Sequence, residues 1–295
     1  RGLVLYYLRT GDPRSWELTQ TAARHLLDVD ISHYPTWGMY THGYGHCYLN
    51  AGLSGASDHS WLLGLMEWAG VSGDPLAWQW IKNCGDEMTA TPADYFHNDT
   101  RSAGMQLNVL GNFYLYTGDQ KYLVPMSPTV GLLLQEQNTD GSWPAYLRQN
   151  GRSEKGFIEY ALMGLTKYWL ISGDARILPA LQRALANYKE NDALVLDPLA
   201  ILNGKKSDPL YKNLARTILD QLYNDQNRDP DCFARGDTWA QWKVNNADIA
   251  AETGRPPQLI EQTRPMMPGI ILAFVPSGLE PLAERDRLSS GVKEP

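Results

Sequence analysis

Phe113-Tyr114-Leu115-Tyr116-Thr117-Gly118-Asp119 is one copy of a phrase that this chain repeats. The others are Tyr6-Tyr7-Leu8-Arg9-Thr10-Gly11-Asp12, Trp68-Ala69-Gly70-Val71-Ser72-Gly73-Asp74 and Tyr168-Trp169-Leu170-Ile171-Ser172-Gly173-Asp174. Counting back from each Asp, the sixth residue is aromatic and the ninth is leucine (Leu3, Leu65, Leu110, Leu165). A recurring unit of this kind is a statement about architecture. The residues before each Gly-Asp carry apolar side chains at three- and four-residue steps with few polar interruptions, as in Phe157 to Trp169. Such a pattern predicts a helix buried on most sides. The glycine then stands where a helix end needs positive φ, and the aspartate where a following helix needs an N-terminal cap. Pro13 and Pro75, directly after the Asp, fit a first helical turn.

Each copy therefore reads as an inner helix, a tight corner and a more polar outer helix. Two weaker copies extend the series: Leu199 to Pro209 followed by Leu210 to Tyr223, and Gly269 to Pro276 followed by Leu279 to Leu288. Six helical hairpins closed in a ring make an all-α fold, an (α/α)6 barrel or toroid. We expect residues 1–295 to form a single barrel domain. Its first inner helix starts abruptly at Arg1, so the expectation is a chain truncated or processed at its N-terminus.

The formal net charge is -7, from 26 basic and 33 acidic residues, which gives no footing for nucleic-acid binding. No apolar run approaches the roughly 18 residues needed to span a bilayer. Three cysteines, Cys47, Cys84 and Cys232, lack metal-site or redox spacing and read as thiols with at most one bridge. Asn98-Asp99-Thr100 matches a glycosylation acceptor, a short pattern that also arises by chance. The oligomeric state is not encoded in any of these features. Aromatic content is the compositional clue, with ten Trp and sixteen Tyr. Several rings lie between the helices, including Tyr40, Tyr44, Trp143, Tyr146 and Trp239, where core packing does not account for them. In a cleft, such rings suit the flat apolar faces of sugars.

In a ring of hairpins the short Gly-Asp corners share one rim and the longer return connections share the other. Long connections usually carry function. Of the six histidines, His33, His42, His46, His59 and His97 lie in or beside them, as do Arg101, Arg148 and Arg235. The densest stretch is Trp37-Gly38-Met39-Tyr40-Thr41-His42-Gly43-Tyr44-Gly45-His46-Cys47-Tyr48, continuing to Ser57-Asp58-His59-Ser60-Trp61. Its glycines favour a loop, and Ser57 or Asp58 is the expected cap of the next inner helix. Histidine and tyrosine have proton affinities suited to moving protons; the alternative is that these histidines only brace the loop. A metal held by His42, His46 and His59 is a competing reading, weakened because the four-residue spacing aligns ligands only on a helix. No cofactor is expected otherwise. Asp140-Gly141-Ser142-Trp143 predicts a tight turn presenting Trp143 to the cleft or packing it on a neighbouring loop. Glu159 lies in the first turn of the fourth inner helix, at the position held by His59 and Gly104 in two other copies. It either faces the cleft or favours the helix N-terminus. Arg101 begins the third inner helix, where the dipole opposes a cation, which points to an anionic partner.

The corner motif resembles that of (α/α)-barrel carbohydrate-active enzymes. The His42-Gly43-Tyr44-Gly45-His46 loop with Asp58-His59-Ser60-Trp61 is most similar to the helical domain of exo-rhamnogalacturonan lyase-type polysaccharide lyases. That resemblance implies β-elimination on a uronic-acid-containing, pectin-like polysaccharide by a secreted or periplasmic protein. In that scheme Arg101 or Arg148 neutralises the uronate carboxylate, His42, His46 or His59 takes the C5 proton, and Tyr44 or Tyr40 protonates the leaving oxygen. Trp61, Trp143, Tyr146, Arg235 and Trp239 complete the substrate-binding set. One alternative is an inverting glycoside hydrolase using Glu159 with Asp58, Asp99 or Asp237. Another is a carbohydrate-binding remnant without catalysis.

Overall fold

The computed structural model describes residues 1–33, 38–39, 60–148, 155–190 and 192–224. The chain divides into two compact units, Arg1–Lys189 and Glu190–Pro295. The described residues of the first unit carry four hairpins. These are α1 (Gly2–Thr10) with α2 (Pro13–His25), α3 (Leu63–Ser72) with α4 (Pro75–Ala90), α5 (Thr100–Thr117) with α6 (Met126–Glu136), and α7 (Ile158–Ser172) with α8 (Ile177–Ala186). The described part of the second unit carries a fifth hairpin, α9 (Leu196–Lys205) with α10 (Pro209–Asn224). A π-turn, Leu26–Asp30, comes after α2 and leads into a two-residue ribbon in which β1 (Ile31–Ser32) pairs antiparallel with β2 (Gly38–Met39). The sixth expected hairpin, 269–288, lies outside the described residues.

The repeated phrase closes each of the first four hairpins with closely similar hydrogen bonds, Ser72 differing in that it reaches back three residues, to the Ala69 carbonyl, rather than four. Gly11, Gly73, Gly118 and Gly173 all have φ between 66 and 70°, and each glycine N–H donates to the carbonyl four residues back. The hydroxyl before the glycine has two roles. Thr117 Oγ1 donates to the Phe113 carbonyl at 2.6 Å and accepts from the Asp119 N–H at 3.1 Å. Thr10 and Ser172 repeat both bonds. The aspartate then caps the segment beyond the corner: Asp74 Oδ1 accepts from the Leu76 and Ala77 N–H groups, while Oδ2 accepts from Arg24 of α2 at 2.7 Å. A cap of this type contributes about 1 kcal/mol. Serine or threonine is thus as much a part of the corner as glycine. The fifth hairpin keeps only the cap, Asp208 accepting from Leu210 N–H, while its glycine, Gly204, lies inside α9.

Leu65, Leu110 and Leu165 are buried, as are Trp68 and Phe113, so the second and third copies place both periodic positions in the core. In the first copy, by contrast, Leu3 is half-buried and Tyr6 exposed, and in the fourth Tyr168 is half-buried. The outer helix of the third hairpin starts later than the pattern predicts. Asp119 caps a short 3-10 turn, Gln120–Tyr122, and Pro125 sets the start of α6. Helix α3 begins at Leu63 with no side-chain cap, so Ser57 and Asp58 lie upstream of its first turn and outside the described residues.

The most extensive helix pairing is between α5 and α7. A Cβ on Gly104 would collide with the Tyr160 carbonyl, and one on Gly164 with the Gly104 carbonyl. Two helices meet backbone to backbone there, which only residues lacking a side chain permit. Gly118→Ala, where nothing lies within 4 Å and only the positive φ of 70° is strained, is expected to cost about 1 kcal/mol. Gly104→Ala, which must drive two packed helices apart, is expected to cost about 3 kcal/mol. Urea unfolding midpoints at unchanged slope measure both, and equal costs would refute the close contact.

Candidate functional site

The starts of α5 and α7 are joined by a strap, residues 143–148. Asp99 caps α5, its Oδ1 accepting from the Ser102 N–H at 2.7 Å and its Oδ2 from the Ser102 hydroxyl at 3.0 Å. Thr100 then takes hold of the strap twice, its N–H donating to the Ala145 carbonyl at 3.0 Å and its buried hydroxyl to the Pro144 carbonyl at 2.6 Å. The Leu147 N–H donates to the Asn98 carbonyl at 3.0 Å. On the other edge the Gly156 N–H donates to the Trp143 carbonyl at 3.2 Å, just before α7.

The strap is anchored by the turn that precedes it. Gly141 adopts φ 87° against the backbone of Arg183 and Ala184 in α8, and Asp140 Oδ1 accepts from both the Ser142 N–H and hydroxyl. Asp140 also pairs with Lys155, and these bonds hold its carboxyl far below the usual carboxylate range. The expected turn is present, but its tryptophan is not offered to a cleft. Trp143 is 0% exposed, and its indole N–H donates to the Leu133 carbonyl at 2.7 Å. Both ring faces are covered, so Trp143 is a core residue and the expected stacking role is corrected.

At the helix starts themselves, three aromatic rings and a guanidinium form a continuous group. Trp61, just ahead of α3, has its ring centroid 5.9 Å from that of Tyr160. Tyr160 lies 6.3 Å from Phe157 in an edge-on arrangement. The Arg101 guanidinium sits 5.0 Å over the Phe157 ring. Phe157 precedes α7 with φ 58°, a left-handed conformation that is costly for a non-glycine residue. The contact with Phe157 partly offsets the unfavourable position of Arg101 at a helix N-terminus. Glu159, in the first turn of α7, is 9% exposed. Of the residues expected from sequence, Trp61 and Arg101 are therefore linked through Tyr160 and Phe157, while Glu159 is buried in the same first turn of α7. The sequence pattern assigns Tyr160 and Phe157 only to an apolar helix. Their one visible signal is that they bracket Glu159, as Ser57 and Ser60 bracket His59.

Arg148 belongs to a different group. Its Nη1 donates to Asp94 Oδ1 at 2.7 Å and its Nη2 to His97 Nδ1 at 3.0 Å. Both terminal nitrogens of the guanidinium are engaged with protein groups, which counts against Arg148 as a substrate clamp. Tyr146 is exposed on the strap, bridged through its backbone to Asp99. Asp99, a candidate catalytic carboxylate by sequence, has both oxygens committed to capping α5, which corrects that reading. Among the described residues no group of three or more His, Cys, Asp and Glu side chains is arranged to hold a metal. Tyr40, His42, Tyr44, His46, His59, Arg235 and Trp239 lie outside the described residues, as does the His42, His46 and His59 metal alternative. Cys84, the cysteine that is described, is buried and free, and burial pushes its thiol up to about 12.

No family model matches the chain, and no curated protein sequence matches it. Solved structures do. Cellobiose 2-epimerase from Spirochaeta thermophila DSM 6192 superposes with a TM-score of 0.59 at 12% identity, over 78% of this chain and 73% of its own. A GH76 α-mannanase from Bacteroides thetaiotaomicron superposes with a TM-score of 0.58 at 11% identity, over 81% and 76%. At such low identity the likeness speaks to fold, and the fold is the expected all-α (α/α)6 barrel. No helix among the described residues is long and apolar enough to cross a membrane.

Because Trp143 holds the strap through a buried hydrogen bond, Trp143→Phe is expected to lower the unfolding free energy by about 2 kcal/mol. Urea denaturation checks this; an unchanged midpoint would restore Trp143 as a candidate ligand contact.

Proposed function

We propose that this protein is a carbohydrate-processing enzyme whose substrate rests where α5 and α7 begin, and that it cleaves a uronate-containing polysaccharide by β-elimination. The observation that carries the proposal is the run of Trp61, Tyr160 and Phe157 rings ending at the Arg101 guanidinium, with a buried Glu159 in the first turn of α7. Aromatic faces suit the apolar faces of pyranose rings, and a planar guanidinium suits a carboxylate. The fold neighbours support the broader part of the proposal, since one is named an epimerase of cellobiose and the other a mannanase.

In the proposed reaction Arg101 neutralises the uronate carboxylate, so the adjacent C5–H becomes acidic. A base from the loop of His42, His46 and His59 takes that proton. The electron pair forms the C4–C5 double bond as the C4–O bond breaks, and Tyr44 or Tyr40 protonates the departing oxygen. Trp61 and Tyr146 bind neighbouring sugars. The reaction requires no cofactor. A polymeric substrate goes with a secreted or periplasmic protein.

Glu159 favours a second reading. A buried carboxylate in a sugar-binding site is what an inverting hydrolase uses as its acid, with a second carboxylate about 6.5–9.5 Å away. With Asp99 committed to a helix cap, Asp58 remains for that partner. A third outcome, binding without chemistry, corresponds to a carbohydrate-binding remnant.

Incubation with a panel of pectic and other uronate polymers separates these. The lyase releases products with the ultraviolet absorbance of an unsaturated uronate, whereas rising reducing ends without that absorbance transfer the assignment to the hydrolase. Arg101→Ala is expected to lower kcat/KM on an acidic polymer about a hundredfold. His42→Ala and His46→Ala are each expected to lower kcat about tenfold or more without unfolding the protein. Near-native turnover in all three variants would overturn the site.

A further inference from the structure

His97 is 3% exposed and is held from both sides. Its Nε2 lies 3.0 Å from the Thr129 hydroxyl of α6, which in turn donates to Gln106 Oε1 of α5 at 2.6 Å. Its Nδ1 lies 3.0 Å from Nη2 of Arg148 on the strap and 3.2 Å from Asp94 Oδ1. Arginine only donates, so the Nδ1 it contacts must be the unprotonated nitrogen. The proton is therefore on Nε2, which donates to Thr129, whose own hydrogen continues to Gln106. One neutral tautomer satisfies this chain of bonds from Arg148 to Gln106.

We propose that His97 is a positioning residue for the strap, a latch that grips Arg148 when neutral and lets it go when protonated. A proton on Nδ1 removes the acceptor that Arg148 uses, sets two cations side by side and redirects the imidazole toward Asp94. Among the described residues the charged groups facing His97 are Asp94 from its own turn and Arg148 from the strap; α6 and α5 present Thr129 and Gln106, which do not titrate. Arg148 has φ 58°, a conformation that needs such holding. Consistent with the geometry, burial and the Arg148 cation lower the His97 pKa from its ordinary value of 6.5. The Arg148 guanidinium holds the Asp94 carboxyl below the usual carboxylate range.

Because the folded value is depressed, the unfolded chain takes up a proton near pH 6.5 and the folded one only at lower pH. The His97 contribution is therefore complete above 6.5 and is lost as pH falls toward the folded value. Any loss of activity with the latch rests on the proposed saccharide site, but hydrogen exchange reads the strap without substrate and keeps the two separable. In the wild type, exchange of the Leu147 and Thr100 N–H groups, corrected for intrinsic rates between about pH 8 and about pH 5, is expected to lose about tenfold protection on the acid side. His97→Asn, which retains an acceptor for Arg148 but does not titrate, is expected to remove that pH dependence. Arg148→Ala is expected to raise the imidazole titration of His97, followed by NMR, because the neighbouring cation is gone and Asp94 remains. Wild-type protection that is flat with pH, an acid loss that persists in His97→Asn, or an unmoved His97 titration in Arg148→Ala would each overturn the latch.

Discussion

The contact of α5 with α7 at Gly104 and Gly164 fixes the geometry on which the candidate site depends. Two inner helices that touch through their backbones cannot slide or rotate without collision, because the carbonyls of Tyr160 and Gly104 fill the space a side chain would occupy. Interiors are packed too densely to absorb such a shift. The first turns of both helices are therefore set in register, which brings Arg101 of one against Phe157 at the start of the other. The strap adds a second link between the same helix starts through Thr100, Leu147 and Gly156. Core packing determines where the helices run, and the strap determines how their ends face one another.

The corners are legible in the sequence because every bond in them is local. Glycine at positive φ, a hydroxyl bonded four residues back and an aspartate cap two residues on are all decided within one short phrase. The same locality places Trp61, Arg101 and Glu159 at helix starts, where counting back from the aspartate suffices. Trp143 defeats the sequence reading for the opposite reason. Whether a loop tryptophan faces solvent or core depends on a carbonyl of α6, Leu133, that no pattern in its own segment reveals. The His97 network depends on Thr129 and Gln106, from two different helices, and the left-handed Phe157 has no compositional signature at all. Gly104 is visible as an odd member of an aligned column, yet its purpose, close helix approach, becomes evident only with both helices in place.

Arg101 and Arg148 illustrate how identical side chains acquire different work. Arg148 has a carboxylate and an imidazole on its two terminal nitrogens, so its charge is spent on holding the strap. The Arg101 guanidinium lies over a ring face, a contact made through the π surface of Phe157. Such a contact helps to fix the position of the guanidinium at the start of α5.

The self-sufficiency of the Ser/Thr-Gly-Asp corner has an evolutionary consequence. Since each bend is closed mainly by residues within a single short segment, its geometry is set locally, even though the helices it joins are packed against their neighbours. Return connections at the far rim are consequently free to lengthen, shorten or be exchanged while the helical framework persists. A scaffold assembled from such autonomous bends can diversify its chemistry by loop replacement alone, and sequence similarity between distant descendants would then decay long before their shape does.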